Sequence, residues 1–226
     1  MESWKTLTAV ISAALVFSAV SIVAMDVKQK NKDKGVDEKE EWKEKVEDRE
    51  PKLATFAGGC FWCIEAVYQG EKGVESAVSG YAGGSKENAT YDKVKTGETD
   101  HREAVQVEYY PSIISYKELL DMYWKSIDPT DPGGQFSDRG FQYTTAIYVH
   151  SEEQRRKAEE SLKDLEESGK FDEPIVTKIL NYTTFFPAED YHQNYSRKNK
   201  LRYKAYKKAS GREGFVEKLW NRTPLG

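Results

Sequence analysis

Apolar residues fall in short runs along this chain, and the spacing inside each run separates strands from helices. Residues 53–57, Leu-Ala-Thr-Phe-Ala, stop at Gly58-Gly59 and read as a strand leading into a tight turn. Residues 61–69 read as the helix that follows it. Residues 74–81 are a weaker strand candidate. In 103–109 the alternation is strict: Val105, Val107 and Tyr109 share a face with Glu103, while Ala104, Gln106 and Glu108 take the other. Over 116–127, Leu119, Leu120, Tyr123 and Trp124 recur at helical spacing, with Ser115 as cap and Glu118 completing a capping box. A strand is expected at 145–149, a charged helix at 151–168 capped by Ser151, a strand at 175–179 and a last helix at 198–209. Helices interspersed with antiparallel-looking strands predict an α+β class rather than a doubly wound sheet.

The N-terminal fifty residues break this pattern. Residues 6–25 carry no charge and are numerous enough to span a bilayer as a helix. The run follows Lys5 and gathers small residues such as Ala24 at its end, so it reads as a membrane anchor or a secretory signal peptide. Its length favours the anchor. Residues 26–52 are dominated by Lys, Glu and Asp, with Val27, Val36, Trp42 and Val46 as the clear apolar residues. Such a stretch buries too little apolar surface to offset its ordering entropy and reads as a flexible tether. The expected organisation is therefore 1–25 anchor or signal, 26–52 tether and 53–226 catalytic domain. Lys28, Lys30, Lys32 and Lys34 follow the apolar run, which by the positive-inside rule would keep the rest of the chain in the cytoplasm. The signal-like start and soluble tail argue for export. The expectation is a membrane-anchored or exported protein with its catalytic domain extracytoplasmic.

The net charge of −4 argues against general nucleic-acid binding. The one run that alternates bases with aromatics, 198–208, reads as a solvated helix face.

The candidate chemistry lies at the turn. Cys60 and Cys63 are the only cysteines in 226 residues. Residues i and i+3 on a first helical turn have Cα atoms roughly 5 Å apart, within the span of a disulfide. Cys60 would face free N–H groups and the positive end of the helix dipole, both of which favour thiolate. The pair thus describes one cysteine that attacks and a second that resolves the product, set against the plainer reading of two buried small residues. A zinc half-site would need further ligands. His101, His150 and His192 offer no second pair at short spacing, so no metal is expected. A thiol–disulfide oxidoreductase also uses C-x-x-C at a helix start. The Phe61-Trp62 insert looks instead like the wall of an apolar pocket.

At these residues the chain resembles the A-type peptide methionine sulfoxide reductases. Gly59-Cys60-Phe61-Trp62 is similar to their active-site signature. Gly80-Tyr81-Ala82-Gly83-Gly84 with Asn88-Ala89-Thr90-Tyr91, His101-Arg102-Glu103-Ala104-Val105, Asp128-Pro129-Thr130, Gly134-Gln135-Phe136 with Asp138, Gln142-Tyr143 and Ala188-Glu189-Asp190-Tyr191-His192-Gln193 follow in the family's order. The resemblance implies a two-layer α/β sandwich around a mixed, mainly antiparallel sheet. It implies thiol-dependent reduction of free and peptide-bound methionine S-sulfoxide. Cys60 would be the nucleophile, Glu103 the acid, Tyr81 and Tyr143 the partners of the sulfoxide oxygen, and Asp138 the organiser of the polar network. Phe61 and Trp62 would hold the methyl group, with Glu189 and His192 supporting them from behind. Cys63 is the only internal resolving thiol. Residues 211–226 hold no cysteine, so the local pair or an external thiol must serve. A thioredoxin-like reductant, a monomer and no cofactor complete the expectation; a thiol–disulfide oxidoreductase of exported proteins is the alternative. Asp100, Arg102, Thr144 and Ile127 depart from the family's usual residues without removing a catalytic group.

Overall fold

The computed structural model describes residues 50–220. The expected anchor at 1–25, all but the last residues of the tether at 26–52, and residues 221–226 lie outside them.

Six strands form the central sheet: β1 (Lys52–Ala57), β2 (Val74–Ala82), β3 (Arg102–Tyr109), β6 (Ala146–Val149), β7 (Lys178–Asn181) and β8 (Phe185–Pro187). Two short strands, β4 (Gly134–Gln135) and β5 (Asp138–Arg139), pair with each other. The sheet runs in the order β7-β6-β1-β3-β2-β8, with β6 and β7 parallel and every other pair antiparallel. The class is α+β, as the alternation predicted, and the sheet is mixed and mainly antiparallel, as the resemblance implied.

Period-two patterning decides the two faces. Ala54 and Phe56 of β1 and Val105, Val107 and Tyr109 of β3 turn toward helices α1 (Phe61–Tyr68), α3 (Tyr116–Trp124) and α4 (Glu152–Glu167). There Ile64, Tyr68, Leu119, Leu120 and Tyr123 bury completely, and Phe56 stacks between Tyr68 and Tyr123 with ring centroids 5.3 and 5.2 Å away. The other face carries Ala57, Ala82, Ala104, Ala146 and Tyr148, a thinner cluster completed by Leu180, Tyr182 and Phe185. The helix starts use the predicted chemistry. Ser115 and Glu118 form the reciprocal capping box of α3, and Ser151 accepts from the Gln154 amide at the head of α4.

Several boundaries move. Helix α3 ends at Trp124 rather than residue 127, and Ile127 is fully buried beyond it. The expected 175–179 strand begins only at Lys178, because the Val176 amide is taken by Pro129 O at 2.8 Å. The last predicted helix starts at Lys200, after a break at Asn199, as α6 (Lys200–Ala209). Strand β8 and helices α2 (Tyr91–Val94), α5 (Tyr195–Lys198) and α7 (Arg212–Trp220) are additional.

Candidate functional site

Strand β1 delivers the chain to Gly58-Gly59. Gly59 sits at φ +84°, where a Cβ would lie 2.5 Å from Gln135 Cβ and 2.8 Å from an Arg212 guanidinium nitrogen. Only glycine meets both demands. The turn is fixed from three sides. Tyr123 Oη donates to Ala57 O at 2.7 Å, Arg212 Nη2 donates to Gly58 O at 2.9 Å, and Arg212 Nη1 donates to Ser126 O at 2.5 Å. Cys60 then caps α1, and the Cys63 amide donates back to Cys60 O at 3.0 Å.

Both cysteines are free thiols, buried and hydrogen-bonded to each other. Their electrostatics differ from the expectation. Burial, first, then the Cys63 thiol and the carboxyls of Glu103 and Asp138 push the Cys60 thiol well above its ordinary range. Desolvation outweighs the helix N-terminus, so Cys60 rests as a thiol rather than as the thiolate predicted from its helix position. Cys63 is lowered to about 7 by the hydrogen bond from Cys60, by the Arg212 charge and by the Tyr203 hydroxyl, against the effect of burial.

Opposite the thiols stands Glu103. Its strand alternation places it on the helix-facing side of β3, and it is only 2% exposed. Its Oε2 accepts from the Phe61 amide at 3.0 Å, on the first residue of α1. Burial raises its carboxyl to about 8, helped by Asp138 and Cys63 and opposed by the Phe61 hydrogen bond. It is therefore protonated at neutral pH. Tyr81 is its cross-strand partner on β2, fully buried. The Tyr81 hydroxyl donates to Glu189 Oε2 at 2.8 Å, while Glu189 Oε1 accepts from the Tyr91 amide at 3.0 Å. Tyr143 is half-buried, its ionisation pushed up by burial and by the nearby Glu103, Tyr91, Asp138 and Cys60. Asp138, on β5, is raised by burial and accepts a hydrogen bond from Tyr206.

Aromatic rings line the same region. Phe61 is 1% exposed, with ring centroids 6.0 Å from Tyr81 and 4.9 Å from His192. Trp62 stacks on Tyr195 at 3.8 Å, nearly parallel, and its indole N–H donates to His192 Nδ1 at 3.2 Å. That bond fixes the proton of His192 on Nε2.

The ten residues singled out from sequence thus converge around the α1 N-terminus. Glu189 is hydrogen-bonded to Tyr81 and His192 to Trp62. His101 is structural: its ring is buried, Nδ1 accepts from the Gly84 amide at 3.2 Å and Nε2 meets Ser85 O at 2.8 Å. Among the described residues, no group of three or more His, Cys, Asp or Glu side chains is arranged to hold a metal ion.

Four residues had no site role in the sequence reading: Tyr91, quoted only within a motif, and Tyr203, Tyr206 and Arg212. The reading of 198–208 as a solvated face needs correction. Lys198, Lys200, Lys204 and Lys208 are exposed, while Tyr203 reaches Cys63, Tyr206 reaches Asp138 and Lys207 lies half-buried near Tyr203. The two tyrosines stand at i and i+3, a helical signal hidden by the surrounding lysines. Nothing in the sequence around Arg212 marks it as buried.

The assembled groups are a buried nucleophilic sulfur, a neutral carboxyl able to give a proton, phenols, aromatic walls and a second thiol in bonding reach of the first. The family model for peptide methionine sulfoxide reductase matches residues 52–224. The peptide methionine sulfoxide reductase MsrA of Bacillus pumilus is 54% identical over 169 residues, covering 75% of this chain and 95% of that protein. The MsrA of Bacillus subtilis is 49% identical over 168 residues, covering 74% and 95%. Among solved structures, reduced Mxr1 of Saccharomyces cerevisiae matches with a TM-score of 0.62 at 33% identity, covering 67% of this chain and 87% of that one. Methionine sulfoxide reductase A of Corynebacterium diphtheriae matches with a TM-score of 0.60 at 31% identity, covering 68% and 77%.

Proposed function

The chain belongs to the peptide methionine sulfoxide reductase family, and from that premise we propose how its own residues reduce methionine sulfoxide. Cys60 loses its proton as substrate arrives and attacks the sulfoxide sulfur. Glu103 gives its proton to the oxygen, which would otherwise be a poor leaving group. Tyr81 and Tyr143 hold that oxygen, Asp138 orders the polar groups around it, and Phe61 and Trp62 receive the methyl group. The protonated oxygen then passes from the substrate sulfur to Cys60 Sγ as the new S–S bond breaks with its electron pair on the methionine sulfur, so methionine departs and Cys60 is left as a sulfenic acid. Cys63 attacks that sulfur, a Cys60–Cys63 disulfide forms, and water leaves. A thioredoxin-like dithiol returns the pair to thiols.

The observation that carries this reading is Glu103, buried and neutral beside Cys60 and bonded to the first amide of its helix. A carboxyl kept protonated by its site is what an oxygen leaving group requires. The alternative, a thiol–disulfide oxidoreductase, calls for an accessible first cysteine of low pKa. Cys60 is 6% exposed and shifted the other way.

The preferred substrate in this reading is the S epimer, free or within oxidised proteins. The test is turnover of the two resolved epimers with dithiothreitol: the S form is consumed and the R form persists. Equal consumption of both would refute the stereochemical assignment.

Residues 6–25 are proposed to anchor the enzyme in a membrane, with the catalytic domain on the outer side. The support is the uncharged run and the charged stretch after it. Among the described residues no helix is long and apolar enough to cross a membrane.

A further inference from the structure

Cys63 borders a second space that Cys60 does not reach. A cavity of about 410 Å³ opens beside α1, walled by α3, α6 and α7. Cys63 and Tyr203 lie in it, and Val67, Met122 and Val216 form an apolar wall. Lys125, Lys207 and Arg212 bring positive charge to it, against Glu213 and Glu217. Cys60, Glu103, Tyr81 and Tyr143 do not line it.

We propose that this cavity is the port through which the reducing thiolate reaches the Cys60–Cys63 disulfide, attacking Cys63 from the side away from the sulfoxide site. The inference rests on the local disulfide of the proposed function. Thiolate attacks a disulfide along the S–S axis; the thiol pKa values alone favour expulsion of Cys63, so it is access that directs attack to Cys63. A nucleophile in this cavity meets Cys63 with Cys60 behind it. A nucleophile coming through the sulfoxide site would meet Asp138 and Glu103 instead, the carboxyls grouped around Cys60. The cations at the cavity favour an incoming anion, whereas an ionised Asp138 opposes it.

The exchange balances as follows. The donor thiolate bonds to Cys63 Sγ, the Cys60–Cys63 bond breaks, and its electron pair leaves on Cys60, which takes up a proton. The second thiol of the dithiol donor then attacks the donor sulfur of the mixed disulfide. Cys63 leaves as thiolate, the donor becomes a disulfide, and the enzyme is fully reduced. Tyr203 and Arg212 assist this second step, because a leaving thiol of lower pKa departs faster. The two half-reactions thus use opposite sides of α1.

The test uses the full chain, oxidised by one equivalent of substrate and then mixed with dithiothreitol or with a thioredoxin. Val216→Trp fills the cavity. It is expected to slow disulfide reduction by roughly tenfold or more, while release of the first methionine stays at the wild-type rate. Lys207→Glu, at the rim and outside the core, is expected to slow reduction several-fold with the same sparing of the first step, and it decides the matter where the tryptophan variant misfolds. Slowing with dithiothreitol shows a port for small dithiols; slowing with thioredoxin as well shows that the protein thiol enters there too. A monothiol trapped as a mixed disulfide is expected on Cys63, located by tandem mass spectrometry. An adduct on Cys60, or wild-type reduction in both variants, overturns the port while leaving the disulfide mechanism standing. Wild-type enzyme that turns over without forming a Cys60–Cys63 disulfide overturns both.

Discussion

Replacing Glu103 with glutamine separates a proton from a hydrogen bond. Glutamine keeps an oxygen for the Phe61 amide, now bonded at 3.0 Å, but has no acidic proton to give. Release of the first methionine should fall by roughly 10²–10⁴-fold, the usual contribution of a positioned acid. Stability should move the other way. Burial lifts the carboxyl from 4.5 to about 8. A carboxyl raised in the fold supports stability fully below its unfolded value and loses that support as pH rises through the folded one. At pH 7 the unfolded chain gains about 3 kcal/mol by ionising this group, at 1.36 kcal/mol per unit. Glutamine abolishes that gain, so the variant should melt roughly 6–12 °C higher at pH 7 and match the wild type near pH 4. The rate should also change shape with pH. Wild-type single turnover should rise with pH only to about 8, where loss of the Glu103 proton offsets further ionisation of Cys60; the variant should go on rising above 8. Rapid-quench release of methionine and calorimetry at pH 4 and 7 provide the measurements. A variant within tenfold of wild type in the first turnover would show that the proton comes from elsewhere. Equal melting at both pH values would show that Glu103 ionises normally in the fold.

Cys60→Ser should abolish turnover, whereas Cys63→Ser should release about one methionine per enzyme and accumulate sulfenic acid; full steady-state activity of the latter with thioredoxin as sole reductant would refute the local pair. Gly59→Ala places a Cβ 2.5 Å from Gln135 Cβ at φ +84°, so it should cost more than the roughly 1–2 kcal/mol of the backbone conformation alone, read as a lower urea midpoint at unchanged slope. Glu65, buried with its carboxyl raised to about 7, should make Glu65→Gln more stable than wild type at pH 8 and equal to it near pH 4, by urea titration at each pH. Deleting residues 1–52 should leave a soluble enzyme with near-full activity on small sulfoxides, while the full chain partitions with membranes and resists salt extraction; an intact chain found in solution beginning near Met25 would show a cleaved signal instead.

The sheet was legible wherever burial imposes a period. Strand β3 is the clearest case, because Val105, Val107 and Tyr109 fix the face on which Glu103 must lie. Strand β8 was not legible: three residues ending in proline carry no period to read. The order of motifs led to residues that converge at the α1 N-terminus. Their charge states did not follow from it, since the Cys60 thiol is pushed up first by burial and then by Cys63 and by carboxyls on β3 and β5, far away in sequence. Tyr203, Tyr206 and Arg212 were obscured for a related reason. The tyrosines sit in a helix rich in lysine and arginine whose outer face dominates its composition, Arg212 opens a helix with no clear apolar period, and only the packed chain shows which side chains turn inward.

Arg212 gives the site an order in time. It clamps Gly58 and Ser126 from helix α7, and the ribosome makes it after every strand and after both cysteines. The sheet and the Gly-Gly turn can therefore assemble while Cys63 still lacks the cation and the phenol that draw its proton away. The share of the Cys63 lowering that comes from Arg212 and Tyr203 is added last, when the final helices dock.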